Sequence, residues 1–397
     1  MSSLPHSTTL PALQQPPWAD DGVVDEVERR LAGLPPLTTP GEIMMLRDRL
    51  AAVARGSALV LQGGDCVERF EESASGTVRR KVRQLYDLSA LMRDRAGLPV
   101  VTVGRMAGQY AKPRTAPMER APHGELVPSF RGEAVNSFVA DLRLRTPDPW
   151  RMITAYNCAR LVLDTVRETW QEGPPGLDPV FVSHELLLLP YERALRRGVA
   201  TTAHLASTHF GWIGERTRDP GGAHVELMRS TGNPVGVKLG PGVTPWDALE
   251  LVAMLNPERI PGRLTFIVRM GADLITEALP SIIRKVRDAD APVVWLCDPM
   301  HGNTFSTTDG IKTRSLPIIL REIEQFVHVV SKNGGWPGGL HLEMTPDPVT
   351  ECTPLLPGQG VPEFPDYRSA CDPRLNAEQA VMAVEMFLSA RAQIRKE

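Results

Sequence analysis

Three side chains in this sequence have the chemistry of ligands to a borderline metal ion: Cys66 in QGGDC, His301 in DPMHGN and Glu343 in LHLE. A thiolate, an imidazole and a carboxylate together suit Mn2+, Co2+, Fe2+ or Zn2+ and suit Mg2+ or Ca2+ poorly. Four cations form a second set: Arg105, Arg216, Lys238 and Arg269. Gathered in one small volume they would repel one another unless anions compensate, which points to substrates carrying phosphate and carboxylate groups. Guanidinium forks match such groups bidentately, whereas Lys238, in GVKLG, supplies a point charge or a movable proton. Each residue alone has an ordinary alternative, a small buried hydrophobe for the cysteine and a salt bridge for each arginine. Lys112, Arg114 and Thr115 in AGQYAKPRT read either as a further phosphate cradle or as a solvated basic loop. Asp372 in CDPRLN could join the ligand set or cap the helix expected over NAEQAVMAVEMFL, whose methionines read as core-facing.

These residues need elements to bring them together, and the pattern supplies them. Eight apolar, β-branched runs begin at residues 58, 99, 179, 209, 234, 264, 292 and 338, and helical stretches alternate with them. Continuous apolar strands alternating with helices imply parallel strands buried on both faces. The expectation is an α/β fold, a single (β/α)8 barrel over 58–397, preceded by a short arm and two helices over 1–57. An open doubly wound sheet is the competitor, but neither G-x-G-x-x-G nor G-x-x-x-x-G-K-[ST] occurs. In barrels of this kind the site lies at the C-terminal ends of the strands. There the sequence places the candidates above together with Asp65, His184, Glu185, Glu215 and Asp298.

The 397 residues include 44 Lys+Arg against 47 Asp+Glu, a net charge of -3, so no global positive field recommends nucleic acid or an anionic membrane as partner. Five cysteines without a CxxC pair suit a reducing compartment. The opening residues show no signal or transit pattern, no apolar window is long enough to span a bilayer, and a cytoplasmic location is expected.

The motifs LQGGDCVERF, VGRMAGQYAKPRT, SFRGEAVNSF, WIGERTR, NPVGVKLGP, PGRLTFIVRMG, CDPMHGNT, GIKTR, PGGLHLEMT, VTEC and ACDPRLN together resemble the type II 3-deoxy-D-arabino-heptulosonate 7-phosphate (DAHP) synthases, from about residue 40 to the C-terminus. The resemblance implies metal-dependent condensation of phosphoenolpyruvate with D-erythrose 4-phosphate and water to DAHP and phosphate, the first step of the shikimate pathway to aromatic amino acids. Supply of a specialised pathway, and an amino-DAHP synthase acting on a nitrogen-bearing tetrose phosphate, are related readings; a catalytically silent regulatory partner is a third. It further implies metal ligation by Cys66, His301, Glu343 and Asp372, with Mn2+ or Co2+ ahead of Fe2+ or Zn2+. Phosphoenolpyruvate would be held by Arg105, Glu215, Arg216, Lys238 and Arg269, and the tetrose phosphate by Lys112, Arg114 and Thr115. Arg105, Lys112 and Lys238 are the expected catalytic groups, and a homo-oligomer is favoured.

Larger members of that family carry a regulatory helical insertion before the third strand, where this chain has only ETWQEGPPGLD at 168–178. A segment with glycine and proline at four positions cannot form a useful helical pair. Initial rates should therefore be insensitive to phenylalanine, tyrosine and tryptophan, alone or in pairs at millimolar concentration; inhibition by more than half would contradict this.

Overall fold

A computed structural model describes residues 10–121, 124–172, 179–199 and 203–394. Its centre is a closed barrel of eight parallel strands: β1 (Leu59–Gly64), β2 (Val100–Arg105), β3 (Phe181–Glu185), β4 (Phe210–Ile213), β5 (Val235–Leu239), β6 (Leu264–Val268), β7 (Val293–Cys297) and β8 (Pro337–Glu343). Each pairs with the next in sequence, and β8 returns to β1. All eight expected runs are barrel strands.

The pairing register sets the mouth. Gly64 stands opposite Arg105 on one side and Glu343 on the other, so the last residues of β2 and β8 flank the strand end that leads into Cys66. A slip of one residue would turn both side chains out of the barrel. Gly64 has φ +144, and a Cβ there would lie 2.7 Å from the Arg105 carbonyl oxygen. The second glycine of GGDC is therefore a clearance that lets β2 and its arginine come close.

Inside the barrel, the lower end is apolar and the upper end polar. Val60, Val101, Phe181, Phe210, Ile267, Val294 and Leu296 pack with Leu46, Leu50 and Val53 of helix α2 (Pro40–Ala54). This helix starts cleanly because Thr39 and Glu42 form a capping box and proline occupies its first position. Of the two leading helices, α2 closes the bottom of the barrel. The preceding helix, α1 (Asp21–Ala32), packs instead against α4 (Arg151–Glu172) and α5 (Leu189–Ala194) on the barrel's flank. A second, larger core joins the strands to the surrounding helices, among them α3 (Ser75–Ala96), α6 (Ala223–Arg229), α7 (Pro245–Leu255), α8 (Ile275–Asp288), α9 (Leu316–Lys332) and α10 (Ala377–Ile394).

Two details correct the sequence reading. Asp372 does not cap α10: Asn376 does, accepting from the Gln379 amide at 3.0 Å. Met382 of MAVEMFL is exposed, because the first turns of α10 turn that face to solvent. The segment proposed to replace a regulatory insertion lies largely outside the described residues, at 173–178.

Leu50 is 2% exposed within the plug. Leu50→Ala should lower unfolding free energy by roughly 3 kcal/mol, read from urea denaturation. A loss below about 0.5 kcal/mol would mean that α2 does not seal the barrel.

Candidate active site

A cavity of about 300 Å³ opens at the C-terminal ends of the strands, and most of the expected residues line it: Cys66, Arg105, Lys112, Glu215, Arg216, Lys238, Arg269, His301, Glu343 and Asp372. Arg105, Lys238 and Glu343 stand in strands β2, β5 and β8, the others in the segments that follow β1, β2, β4, β6 and β7, and Asp372 in the segment that follows β8. Gln109, Glu185, Trp212, Thr304 and Lys312 share the wall.

On one side the ligand candidates converge. Donor atoms of Cys66, Glu343 and Asp372 all lie within 4.8 Å of one another. His301 adjoins them, its Nε2 3.0 Å from Glu343 Oε1. Asp298 holds the other ring nitrogen, Nδ1, at 2.8 Å, the arrangement that fixes the tautomer and direction of a metal-binding imidazole. The Lys112 ammonium bonds Cys66 Sγ at 2.7 Å and also Asp372. A position already chosen by one cation, bounded by sulfur, oxygen and nitrogen donors, fits a divalent ion. Burial pushes the Cys66 thiol well above its ordinary pKa, a cost that an adjacent cation offsets.

Asp372 reaches this cluster because its segment is stitched to the barrel. The Leu375 amide donates to the Glu343 carbonyl at 2.9 Å and the Asp372 amide to Cys66 Sγ at 3.2 Å. Arg374 then clamps both ends: it bonds Asp65 Oδ1 at 2.7 Å and Glu351 at 2.9 Å. Burial works against ionisation of Asp65, but Lys81 and Arg374 outweigh it and hold the carboxyl below its usual range.

On the other side stand the cations. Arg105, 2% exposed, donates to Glu343 Oε1 at 2.9 Å, to the Asp65 carbonyl at 3.0 Å and to His341 Nε2. Lys238 bonds Asp298 and lies 2.8 Å from the same His341 nitrogen. His341 Nδ1 faces Gln62 Oε1 at 2.7 Å, so the ring is neutral, with its proton on Nδ1. Burial, Lys238 and Arg105 push its pKa well down, in agreement. The Trp212 ring lies under both cations, 5.1 Å from the Arg105 guanidinium carbon and 5.8 Å from Lys238 Nζ. Arg269 donates to the His301 carbonyl at 2.9 Å. Glu215 lines the cavity, but its carboxylate accepts from the Gly240 amide at 2.7 Å and from Arg218 at 3.1 Å; it braces the loop rather than offering charge to an anion.

The loop after β2 is only partly in the cavity. Arg114 turns away to pair with Glu119, and Thr115, exposed, accepts from Arg216 at 3.0 Å. Of the expected cradle, Lys112 alone lines the wall. The loop's start is rigid because Glu68 accepts from three successive amides, Ala107 and Gly108 at 3.0 Å and Gln109 at 2.8 Å. Gly108 has φ +151, and a Cβ there would fall 2.2 Å from the His184 ring. His184 itself faces Glu192, not the cavity.

Sequence reasoning did not assign Arg314, His341, Arg374 or Glu68. Arg314 sits on a two-stranded ribbon, Thr304–Ser306 with Lys312–Arg314, and bonds Glu343 Oε2 at 2.7 Å. The same ribbon brings Lys312 to Asp372 at 3.2 Å. His341 had a usable signal, lying two residues before Glu343 on one face of β8.

Fold and site together define a (β/α)8 barrel enzyme whose mouth gathers cationic side chains beside a mixed thiol, imidazole and carboxylate centre. The chain belongs to the class-II DAHP synthetase family, which it matches over residues 3–180 and 176–387. It is 40% identical to a phospho-2-dehydro-3-deoxyheptonate aldolase of Streptomyces coelicolor, over 95% of this chain and 96% of the relative. Likeness extends to proteins of the same name from Neurospora crassa, 37% identical over 98% and 94%, and Mycolicibacterium smegmatis, 36% identical over 94% and 90%. The structure of a Francisella tularensis phospho-2-dehydro-3-deoxyheptonate aldolase shares the fold, with a TM-score of 0.55 at 13% identity, covering 99% of each chain. Among the described residues no helix is long and apolar enough to cross a membrane.

Burial lowers the pKa of Lys238 to about 8, with Arg105 adding to the effect while Asp298 and Glu343 oppose it. Protonated Lys238 attracts anions, and the neutral amine does not. Affinity of the free enzyme for a phosphorylated carboxylate should thus fall as pH rises through about 8. A titration calorimetry series with phosphoenolpyruvate that stays flat from pH 7 to about 9.5 would remove Lys238 from the anion site.

Proposed function

We propose that this cavity condenses phosphoenolpyruvate with D-erythrose 4-phosphate and water, giving DAHP and inorganic phosphate. Formation of DAHP, the first committed product of the shikimate pathway, is the activity of the family to which the chain belongs. The relatives named for DAHP formation support erythrose 4-phosphate over a nitrogen-bearing tetrose. The observation that carries the reading of the site is the meeting of two sets in one cavity: the cations Arg105, Arg216, Lys238 and Arg269, and the donors Cys66, His301, Glu343 and Asp372.

In this reading the four cations hold the phosphate and carboxylate of phosphoenolpyruvate, with Arg105 and Lys238 deepest and the Trp212 ring beneath them. Cys66, His301, Glu343 and Asp372 would hold a divalent ion, proposed as Mn2+ or Co2+ on the resemblance, which would supply Lewis acidity to the carbonyl under attack. The Lys112–Thr115 loop holds the tetrose phosphate, Arg114 exchanging Glu119 for it. C3 of phosphoenolpyruvate then bonds to the aldehyde carbon. Lys112 stands beside the donor cluster, placed to give a proton to the aldehyde oxygen as it becomes a hydroxyl. Water adds at C2, which lost its double bond, and the resulting hemiketal phosphate releases phosphate as the ketone forms. Fixing both reactants in one cavity removes entropy from the barrier before reaction.

The direct experiment supplies purified protein with manganese, phosphoenolpyruvate and erythrose 4-phosphate, and follows DAHP and phosphate. Chelation by EDTA should abolish turnover and manganese or cobalt restore it. Cys66→Ser replaces a thiolate with a hydroxyl that stays protonated at neutral pH, so stoichiometric metal binding by calorimetry should be lost while the fold persists. Arg269→Ala should lower kcat/KM for phosphoenolpyruvate by about 2 kcal/mol, roughly 30-fold. Tight metal in the serine variant would remove Cys66 from the ligand set.

A further inference from the structure

The residues that precede α1 cross the rim of the mouth. The Pro11 carbonyl accepts from the Ala223 amide at 3.0 Å, beside the loop after β4. Gln15 bridges the loop after β3, donating to the Leu187 carbonyl at 2.8 Å and accepting from the Leu189 amide at 3.1 Å. Between these anchors Gln14 reaches the loop after β2, its Oε1 accepting from the Arg114 amide at 3.0 Å. One short segment thus touches three successive loops on the side of the barrel where substrates bind.

Gln14 adopts φ +62, a left-handed conformation that residues with a Cβ adopt infrequently. The strain is sustained because the Pro11 carbonyl and the Gln15 side chain hold the segment on either side, and the conformation turns the Gln14 side chain onto the Arg114 amide. That amide belongs to a loop held firmly at its start by Glu68, but whose later residues, Arg114 and Thr115, lie at the rim. Without Gln14 the described residues offer no other partner to the Arg114 amide.

We propose that residues 10–19 form a strap that positions the tetrose phosphate loop, with Gln14 as its positioning residue. The proposal rests on the reading that Lys112, Arg114 and Thr115 hold the phosphate of erythrose 4-phosphate. Gln14 touches no substrate. It fixes the direction in which Arg114 leaves the backbone, and so the ease with which its guanidinium passes from Glu119 to a phosphate.

Gln14→Met keeps the size of the side chain and removes the acceptor; Gln14→Gly removes the side chain and fits the backbone conformation. Both should raise KM for erythrose 4-phosphate about fivefold, the loss expected of one neutral hydrogen bond. KM for phosphoenolpyruvate, manganese affinity and the thermal midpoint should not move. Arg114→Ala serves as the reference for the subsite itself and should raise the same KM. An unchanged KM for erythrose 4-phosphate in both Gln14 variants, with Arg114→Ala raising it, overturns the strap. Equal rises in KM for both substrates, the mark of general loosening, overturn it too. No effect of Arg114→Ala would overturn the subsite assignment, and the role of the strap with it.

Discussion

The carboxylate of Glu343 is the point at which the two chemistries of the mouth meet. It is fully buried at the end of β8, bonded by Arg105 at 2.9 Å and Arg314 at 2.7 Å, with His301 at 3.0 Å. Burial alone would drive it neutral, but His301, Arg314 and Arg105 outweigh that and hold it ionised far below the usual carboxylate range. An unpaired buried charge costs several kcal/mol, so each partner depends on the others. Without Glu343, Arg105 would have no carboxylate partner among the described residues, with Lys238 and His341 beside it. The register of β1 against its two neighbours matters for this reason: it sets the pair to close across Gly64.

The same alternation repeats around the cavity. Asp298 lies between Lys238 and His301, Asp372 between Lys112 and Lys312, and Asp65 between Lys81 and Arg374. Arg105 and Lys238, two of the cations proposed to hold an anionic substrate, thus stand paired with carboxylates. His341, kept neutral, separates Arg105 from Lys238 without adding a third positive charge.

The barrel was legible because each buried strand writes a continuous apolar run and each catalytic candidate follows one. Lys238 and Glu343 could be placed from that alone. Asp372 could not, since a loop residue beyond β8 carries no periodic signal, and only the resemblance assigned it to the metal. The ribbon bearing Lys312 and Arg314 escaped notice because three-residue strands have no periodicity to detect. Arg374 and Glu351 carry no signal of their own in the sequence, although their mutual burial is what ties Asp372 to β1. Glu68 was invisible for another reason: its partners are backbone amides, which no letter of the sequence records. Arg114 and Thr115 were recognised by type, but where the loop's side chains rest is decided by Glu119, five residues on, and by Arg216, which comes close only in the folded chain.

The plug formed by α2 turns the barrel into a vessel with one opening. Arg105 and Lys238 lie near its floor, 2% and 5% exposed, whereas Arg216 and Thr115 stand exposed at the rim. Whatever sits on the floor must arrive before the rim is filled, and must wait for the rim to clear before it leaves. With phosphoenolpyruvate proposed for the floor and the tetrose phosphate for the rim, a single door would make their traffic sequential, the three-carbon partner entering first and the tetrose closing the way behind it.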